Sequence, residues 1–417
     1  MGLENKIPEG WIDTDIGSST ILSTGFPFKS EDYSYTGNLR VVRGENISLK
    51  KLRWDNCKYW NHSTENLKQY FLQTDDIVVG MDGSRIGKNK SSVSISDLPL
   101  ILAQRVARIR ASDGVSQQFL KYLILNKKFE RYIIKIQTGT SIPHISLSQI
   151  KDFKIVLPPL LEQKSIANIL AAFDNKIELL QAQNKTLETM AQTIFKEWFG
   201  KYQIGDQLPE GWRVGKLGDF KAKIADFVAN GSFASLKENV TLFNHLEHAL
   251  FIRNTDLKSD FKEKTYVDKK AYEFLSKTKL FGGEIIISNV GDVGSVHLCP
   301  HFKIPMTLGN NIIMLKSEHN FFFYTLFKSR IGQHLISTIT GGSAQPKFNK
   351  TDFRNMGLII PPNDLLNNFE FASSKFYEKI LKNKEQILSL TKTRDTLLPK
   401  LMSGQVRVNN LKQTADA

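Results

Sequence analysis

The sequence predicts an α+β protein: two pseudo-symmetric α+β domains separated by two long helices packed as an antiparallel coiled coil. Three observations predict it. A set of short motifs occurs twice in the same order. Each copy ends in a Pro-Pro step, and each step is followed by a long segment whose apolar residues keep a heptad period. The expected segments are residues 1–159 (first domain), 160–200 (central helix), 201–362 (second domain) and 363–417 (C-terminal helix and tail).

An internal repeat organises the chain. Ile7-Pro8-Glu9-Gly10-Trp11 returns as Leu208-Pro209-Glu210-Gly211-Trp212, 201 positions later. Asp76-Ile77-Val78-Val79 with Gly83 and Gly87 returns as Glu284-Ile285-Ile286-Ile287 with Gly291 and Gly294. Leu102-Ala103-Gln104-Arg105 matches Leu308-Gly309-Asn310-Asn311, and Thr138-Gly139-Thr140-Ser141 with Pro143 matches Thr340-Gly341-Gly342-Ser343 with Pro346. Val156-Leu157-Pro158-Pro159 closes the first copy and Ile359-Ile360-Pro361-Pro362 the second. Five matches in one order, at offsets of 201 to 208, are a duplication.

Within each copy, Ile77–Gly80 and Ile285–Ser288 read as β-branched strands running into Gly-containing turns. Residues 106–110 and 312–316 read as strands, and 119–136 and 321–339 as helices ending at a Thr-Gly turn. After Pro159 the seam is Ile166, Leu170, Phe173, Ile177, Leu180, Asn184, Leu187, Ala191, Ile194 and Trp198, spaced alternately four and three. The second seam is Phe369, Ser373, Phe376, Ile380, Asn383, Ile387, Leu390, Arg394, Leu397 and Leu401. A rod of ~38 residues spans roughly 57 Å and would not stay single in water with such a stripe, so the two rods are expected to pair. An ordinary core helix or a zipper between copies would show the same stripe. The domain between the two rods favours pairing within the chain. Asn184 and Asn383 fit a role in setting register.

At 417 residues the chain holds two to four domains. An apolar fraction of 41% is too high for a disordered protein. Two cysteines, Cys57 and Cys299, make neither a disulfide framework nor a Cys-rich zinc site. There is no run of ~18 apolar residues, and the first eleven residues lack a signal-peptide layout. Gly2 is followed by Lys6 where a myristoylation signal has Ser or Thr. The expectation is a cytoplasmic protein without a membrane partner.

The net charge of +14 points to a polyanion, with nucleic acid foremost. It divides as +6 on residues 1–159, −1 on 160–200, +6 on 201–362 and +3 on 363–417. Equal excess on two domains joined by a near-neutral helix suits a long, regular polyanion, although a solvated surface alone would also carry such an excess.

Catalytic motifs are not found. Gly83-Ser84-Arg85-Ile86-Gly87-Lys88-Asn89 has three residues between its glycines where a phosphate loop has four, and Asn89 stands where a magnesium-binding hydroxyl belongs. His245 and His248 lack the second pair of a metal site. The Asp/Asn-Pro-Pro-aromatic motif of a base-amino methyltransferase is missing, and the two Pro-Pro steps read as helix starts. No cofactor is expected in this chain.

What the duplicated motifs can do is recognise. Arg85 and Lys88 sit in a Gly-punctuated turn, placed to meet phosphate or a base edge. Gln104 and Arg105, with Asn310 and Asn311 at the matching positions, carry the amide and guanidinium groups that read adenine and guanine bidentately. Ser141, His144, Ser343, Gln345 and Lys347 lie beside glycines that allow close backbone approach. Each of these residues also has an ordinary use, as a solvated turn or a tie between strand ends.

The stretch from Leu157-Pro158-Pro159-Leu160-Leu161-Glu162-Gln163 to Ile169-Leu170, then Phe173-Asp174 and Lys176-Ile177, resembles the central helix of type I restriction–modification specificity subunits. Arg394-Asp395-Thr396-Leu397-Leu398-Pro399-Lys400-Leu401-Met402-Ser403-Gly404 resembles their C-terminal signature. The Pro-Glu-Gly-Trp openings and Phe195-Lys196-Glu197-Trp198-Phe199 fit as well. The resemblance spans essentially the whole chain, strong in the helices and weak inside the domains.

That resemblance implies two target-recognition domains, each reading half of a bipartite site in double-stranded DNA, with the helices setting the gap. It implies docking of two adenine methyltransferase subunits and, in the full complex, two ATP-dependent restriction subunits. S-adenosylmethionine, ATP and magnesium would belong to those partners, and this chain would be non-catalytic. Spacer and docking residues would be Glu162, Gln163, Phe173, Ile177, Leu180, Leu187, Ile194, Trp198, Phe376, Ile380, Ile387, Leu390, Leu397 and Leu401. One departure stands out: after Pro362 the second helix reads Asn363-Asp364-Leu365-Leu366, without Glu-Gln. The alternatives are the specificity component of another restriction class, a self-contained methyltransferase or nuclease with an unrecognised site, and a protein-binding scaffold.

Overall fold

A computed structural model describes residues 7–49, 51–139, 142–259, 261–342 and 344–408. The chain forms two compact units: unit 1 is Met1–Asn175 with Lys392–Ala417, and unit 2 is Lys176–Thr391. Six helices of eight residues or more occur among the described residues: α1 Gln117–Ile124, α2 Lys127–Ile136, α3 Leu160–Phe199, α4 Asn320–Lys328, α5 Arg330–Thr338 and α6 Asn363–Met402. Each unit thus takes part of α3 and part of α6.

In unit 1 a four-stranded antiparallel sheet runs in the order Thr20–Thr24, Val106–Ala111, Ile77–Gly80, Lys90–Ser92. A second sheet pairs Arg40–Val42 in parallel with Leu100–Leu102 and antiparallel with Lys58–Tyr59. The strand Ile77–Gly80 is buried on both faces. Ile77 and Val79 pack with Phe119 and Phe129 of the helices, while Val78 faces Val42, Leu100 and Leu102 of the other sheet. Burial on both sides explains why this strand reads as an unbroken apolar run and does not alternate.

Unit 2 repeats the plan. Its antiparallel sheet is Ala222–Asp226, Ile312–Ser317, Ile285–Ser288, Val296–Leu298. The parallel pair is Ala249–Ile252 with Met306–Leu308. Ile285 and Ile287 pack on Phe322 and Phe323, and Ile286 packs on Leu250 and Leu308. Parallel pairing in both units was not read from the sequence.

Two helices foreseen as single are divided. Residues 119–136 break between α1 and α2, where Asn126 caps α2 by accepting the Lys128 N–H at 3.1 Å. Residues 321–339 break at Ser329, whose hydroxyl accepts the Gly332 N–H at 3.2 Å and caps α5. Side-chain oxygens at these positions satisfy orphan donors of a new helix start and end the preceding one.

The long helices run antiparallel where they meet inside each unit. In unit 2, Phe195 of α3 packs on Phe369 of α6 with ring centroids 5.9 Å apart, and Asn184 meets Asn383 at 2.8 Å. In unit 1, Asp174 of α3 binds Arg394 of α6 at 2.7 Å, and Glu162 binds Arg407, beyond the end of α6, at 2.7 Å. Ile166, Leu170, Ile177, Leu180, Asn184, Ile380, Asn383 and Leu401 of the expected seam are buried. Phe173, Leu187, Ile194, Trp198, Phe376, Ile387, Leu390 and Leu397 are only half-buried.

Near the far end of α3 the buried residues are Phe195 and Phe199, one position on from Ile194 and Trp198; near the start of α6 Tyr377 replaces Phe376. There the helices also meet the domain core, and an α-helix drifts off a strict seven-residue repeat. Phe199 lies 5.0 Å from Phe322 and 5.3 Å from Phe369, and each such buried ring contributes roughly 1.5–3 kcal/mol.

The repeated Pro-Glu-Gly-Trp motif is a tight turn. Trp11 N–H bonds Pro8 C=O at 3.0 Å and Trp212 N–H bonds Pro209 C=O at 3.1 Å. Gly10 and Gly211 take φ of 77° and 79°, the left-handed value that such a turn reserves for glycine.

Candidate nucleic-acid interface

Three loops meet at one edge of unit 1, and backbone hydrogen bonds hold them there. Met81 N–H donates to Arg105 C=O at 3.0 Å, Ile145 N–H to Met81 C=O at 2.9 Å, and Gly83 N–H to Pro143 C=O at 3.0 Å. The turn carrying Arg85 and Lys88, the turn Gln104-Arg105 and the loop ending at His144 are therefore one surface. Arg85, Lys88, Gln104, Arg105 and His144 are all exposed on it. Ser141 lies outside the described residues.

Unit 2 has the same three bonds. Asn289 N–H donates to Asn311 C=O at 3.2 Å, Phe348 N–H to Asn289 C=O at 3.1 Å, and Gly291 N–H to Pro346 C=O at 3.0 Å. Asn310, Asn311, Gln345 and Lys347 are exposed along that edge, and Ser343 lies outside the described residues. Reciprocal backbone bonds join Thr138 with His144 in one unit and Gly341 with Lys347 in the other. The structure shifts one sequence match by a residue: Gly139 (φ 91°) corresponds to Gly342 (φ 92°), not to Gly341.

Arg105 and Asn311 both take φ of 62°. Left-handed backbone is uncommon for residues with a β-carbon, and its recurrence at matching positions marks a specified turn. Each turn follows the second strand of the parallel pair, so it sits next to the residues that follow the first strand. Those are Arg43 in unit 1 and Arg253 in unit 2. Arg43 N–H bonds the Asn46 side chain at 3.0 Å, and Arg253 N–H bonds that of Asp256 at 2.9 Å.

Charge at the two edges is arranged differently. In unit 1, Asp82 accepts from Arg105 Nη1 at 3.1 Å. In unit 2, Asp292 accepts from Lys258 Nζ at 2.9 Å, and that contact holds its carboxyl below the usual range. Arg253 grips Asp256 through Nε and Nη2 at 3.1 and 2.8 Å, which raises the guanidinium pKa.

Sequence reasoning missed Asp82, Arg43, Arg253, Lys258 and Asp292. A signal was present: Arg43-Gly44-Glu45-Asn46 and Arg253-Asn254-Thr255-Asp256 both follow short apolar runs and share Arg-x-x-Asn/Asp.

Glu162 and Gln163 turn inward. Glu162 is 6% exposed, takes a two-pronged contact from Arg407 and accepts the Trp11 indole N–H at 3.1 Å. Gln163 accepts Ser116 N–H and donates to Pro158 C=O, both at 2.8 Å. The second helix replaces this device. Leu366 is fully buried, and Glu370, a turn further on, accepts from Phe321 and Phe322 N–H at 3.0–3.1 Å at the start of α4. Among the described residues no group of three or more His, Cys, Asp or Glu is placed to hold a metal ion, and no helix is long and apolar enough to cross a membrane.

The family model described as type I restriction modification DNA specificity domain matches twice, at residues 14–189 and 209–394. The chain is 30% identical over 347 residues to the type I restriction enzyme MjaIX specificity subunit of Methanocaldococcus jannaschii, covering 76% of each. It is 21% identical over 435 residues to the StySPI specificity subunit of Salmonella potsdam, covering 98% of this chain and 88% of that one. The crystal structure of a type I S subunit from M. genitalium shares the fold, with a TM-score of 0.59 at 18% identity over 96% of this chain and 98% of the other.

Proposed function

Because the chain belongs to the type I restriction–modification DNA specificity family, we propose that it is the non-catalytic reader of a bipartite DNA target. Each unit takes one half-site through its three-loop edge, and the lengths of α3 and α6 set the unspecified gap. The observation that carries this reading is the duplication of the edge. The same three backbone bonds and a left-handed residue at the matching position recur in both units, while the side chains they present differ. A common scaffold with unlike side chains suits two domains that read different sequences. Lysines and arginines of both units supply affinity independent of sequence, and a few side chains at each edge supply specificity.

The chemistry belongs to partners in this reading. Two methyltransferase subunits dock on the helices and modify adenine with S-adenosylmethionine; two restriction subunits use ATP and magnesium. Incubating the purified chain with DNA, S-adenosylmethionine, ATP and magnesium tests the division of labour. No modification is expected from this chain alone, and adding its methyltransferase partner should restore it. Methylation or cleavage by the isolated chain would contradict the reading.

A further inference from the structure

We propose that Arg105, oriented by Asp82, reads a guanine in the half-site taken by unit 1. The inference rests on the function proposed above and assigns a base to one side chain of that edge.

Arg105 is exposed and its backbone is fixed on three sides. Its carbonyl accepts Met81 N–H, Gln104 N–H donates to Phe26 C=O at 2.8 Å, and φ is held at 62°. Such a turn has little freedom to reorganise on binding, so it can present its side chain in one direction. Asp82 then holds the side chain itself through Nη1, leaving Nη2 and Nε without a carboxylate partner among the described residues. A guanidinium tethered by one nitrogen still offers two parallel donors, the pattern that matches O6 and N7 of guanine in the major groove.

Charge argues for a base over a phosphate. Asp82 neutralises Arg105 locally and repels phosphate oxygens, so the pair is a poor phosphate clamp. Arg85 and Lys88, exposed on the neighbouring turn, are better placed for that work. Unit 2 supplies the contrast. At the position of Arg105 it has Asn311 on the same backbone, and at the position of Asp82 it has Val290. Its carboxylate, Asp292, is spent on Lys258 and Asn254. In unit 2 Arg253 is held by Asp256 through both Nε and Nη2, which occupies the parallel pair of donors, so an arginine tethered at the left-handed turn with that pair open occurs in unit 1 and not at the matching turn of unit 2.

The test uses the full chain with its methyltransferase partner and a duplex carrying the mapped target. Each guanine is replaced singly by 7-deazaguanine, which removes N7 and leaves Watson–Crick pairing intact. One guanine in one half-site should weaken wild-type binding when replaced, and Arg105→Ala should cost ~10- to 100-fold on the natural duplex. On the 7-deaza duplex Arg105→Ala should cost little more, and Asp82→Asn should show a smaller coupling to the same guanine. If every guanine tolerates replacement, or Arg105→Ala weakens natural and substituted duplexes equally, the assignment is wrong. A complex that methylates no split target at all would instead overturn the function on which it rests.

Discussion

The side-chain amide of Asn383 donates to Oδ1 of Asn184 at 2.8 Å in the buried seam of unit 2, and also lies 2.8 Å from Oε1 of Gln183. Polar pairs in an apolar helix seam cost stability and specify alignment. Asn383→Ala strands the Asn184 acceptor and should destabilise the chain by about 1–3 kcal/mol. Replacing both asparagines with leucine should cost less than the sum of the single changes, and can raise stability. Chemical-denaturation midpoints for Asn184→Leu, Asn383→Leu and the double leucine variant check this. A double variant worse than both singles combined would refute it.

Glu162 closes the end of unit 1 by joining Arg407 to Trp11. Glu162→Ala leaves the indole N–H without its acceptor and Arg407 with only its 3.2 Å bond to Glu9 C=O, and should loosen the segment after Gly404. Limited proteolysis is expected to cut there several-fold faster than in the wild type. Glu162→Gln keeps an acceptor and should fall between the two. Equal cutting rates in all three would show that the contact does not secure this segment.

Glu370 gives unit 2 a pH dependence. Burial pushes its carboxyl from 4.5 up to about 7, against the backbone hydrogen bonds from Phe321 and Phe322 that pull it down. The folded state therefore holds this proton more tightly than the unfolded chain. The stabilisation is complete below pH 4.5, falls as pH rises through the window and is gone above about 7, a change of at most about 3 kcal/mol. Glu370→Gln removes the titration, so its stability should vary less between pH 5 and 8 than that of the wild type. Parallel pH curves for the two proteins would count against this account.

Gap length follows from helix length under the proposed function. Seven residues inserted after Leu180 in α3, with seven after Ile387 in α6, add one heptad to both sides of the seam. At 1.5 Å per residue that is about 10 Å, or roughly three base pairs of unspecified gap. Mapping methylated adenines should show a longer gap between unchanged half-sites. Altered half-sites with an unchanged gap would show that the helices do not act as the spacer.

Much of this fold was legible in the chain. The long helices announced themselves through Pro-Pro starts and heptads, and the strands Ile77–Gly80 and Ile285–Ser288 through β-branched runs ending at glycines. The breaks at Asn126 and Ser329 were missed because a cap inside an apolar-periodic stretch looks like one polar residue on a helix face. The shift from Ile194 to Phe195 depends on what α3 packs against, which periodicity alone does not encode. Exposed turns at Arg85, Gln104-Arg105 and Asn310-Asn311 could be picked out as motifs. Their assembly into one edge rests on backbone bonds between residues up to about sixty positions apart, which leave no local trace. Asp82 was invisible for the same reason: its role depends on Arg105, 23 residues away in sequence.

That one chain reads two DNA half-sites is tested by single-molecule sequencing of methylated adenines in cells that carry this chain with its methyltransferase partner, against cells with the methyltransferase alone. One motif of two short, unlike half-sites at a fixed unspecified spacing is expected, modified only when this chain is present. A continuous motif, or the same motif without this chain, would contradict it.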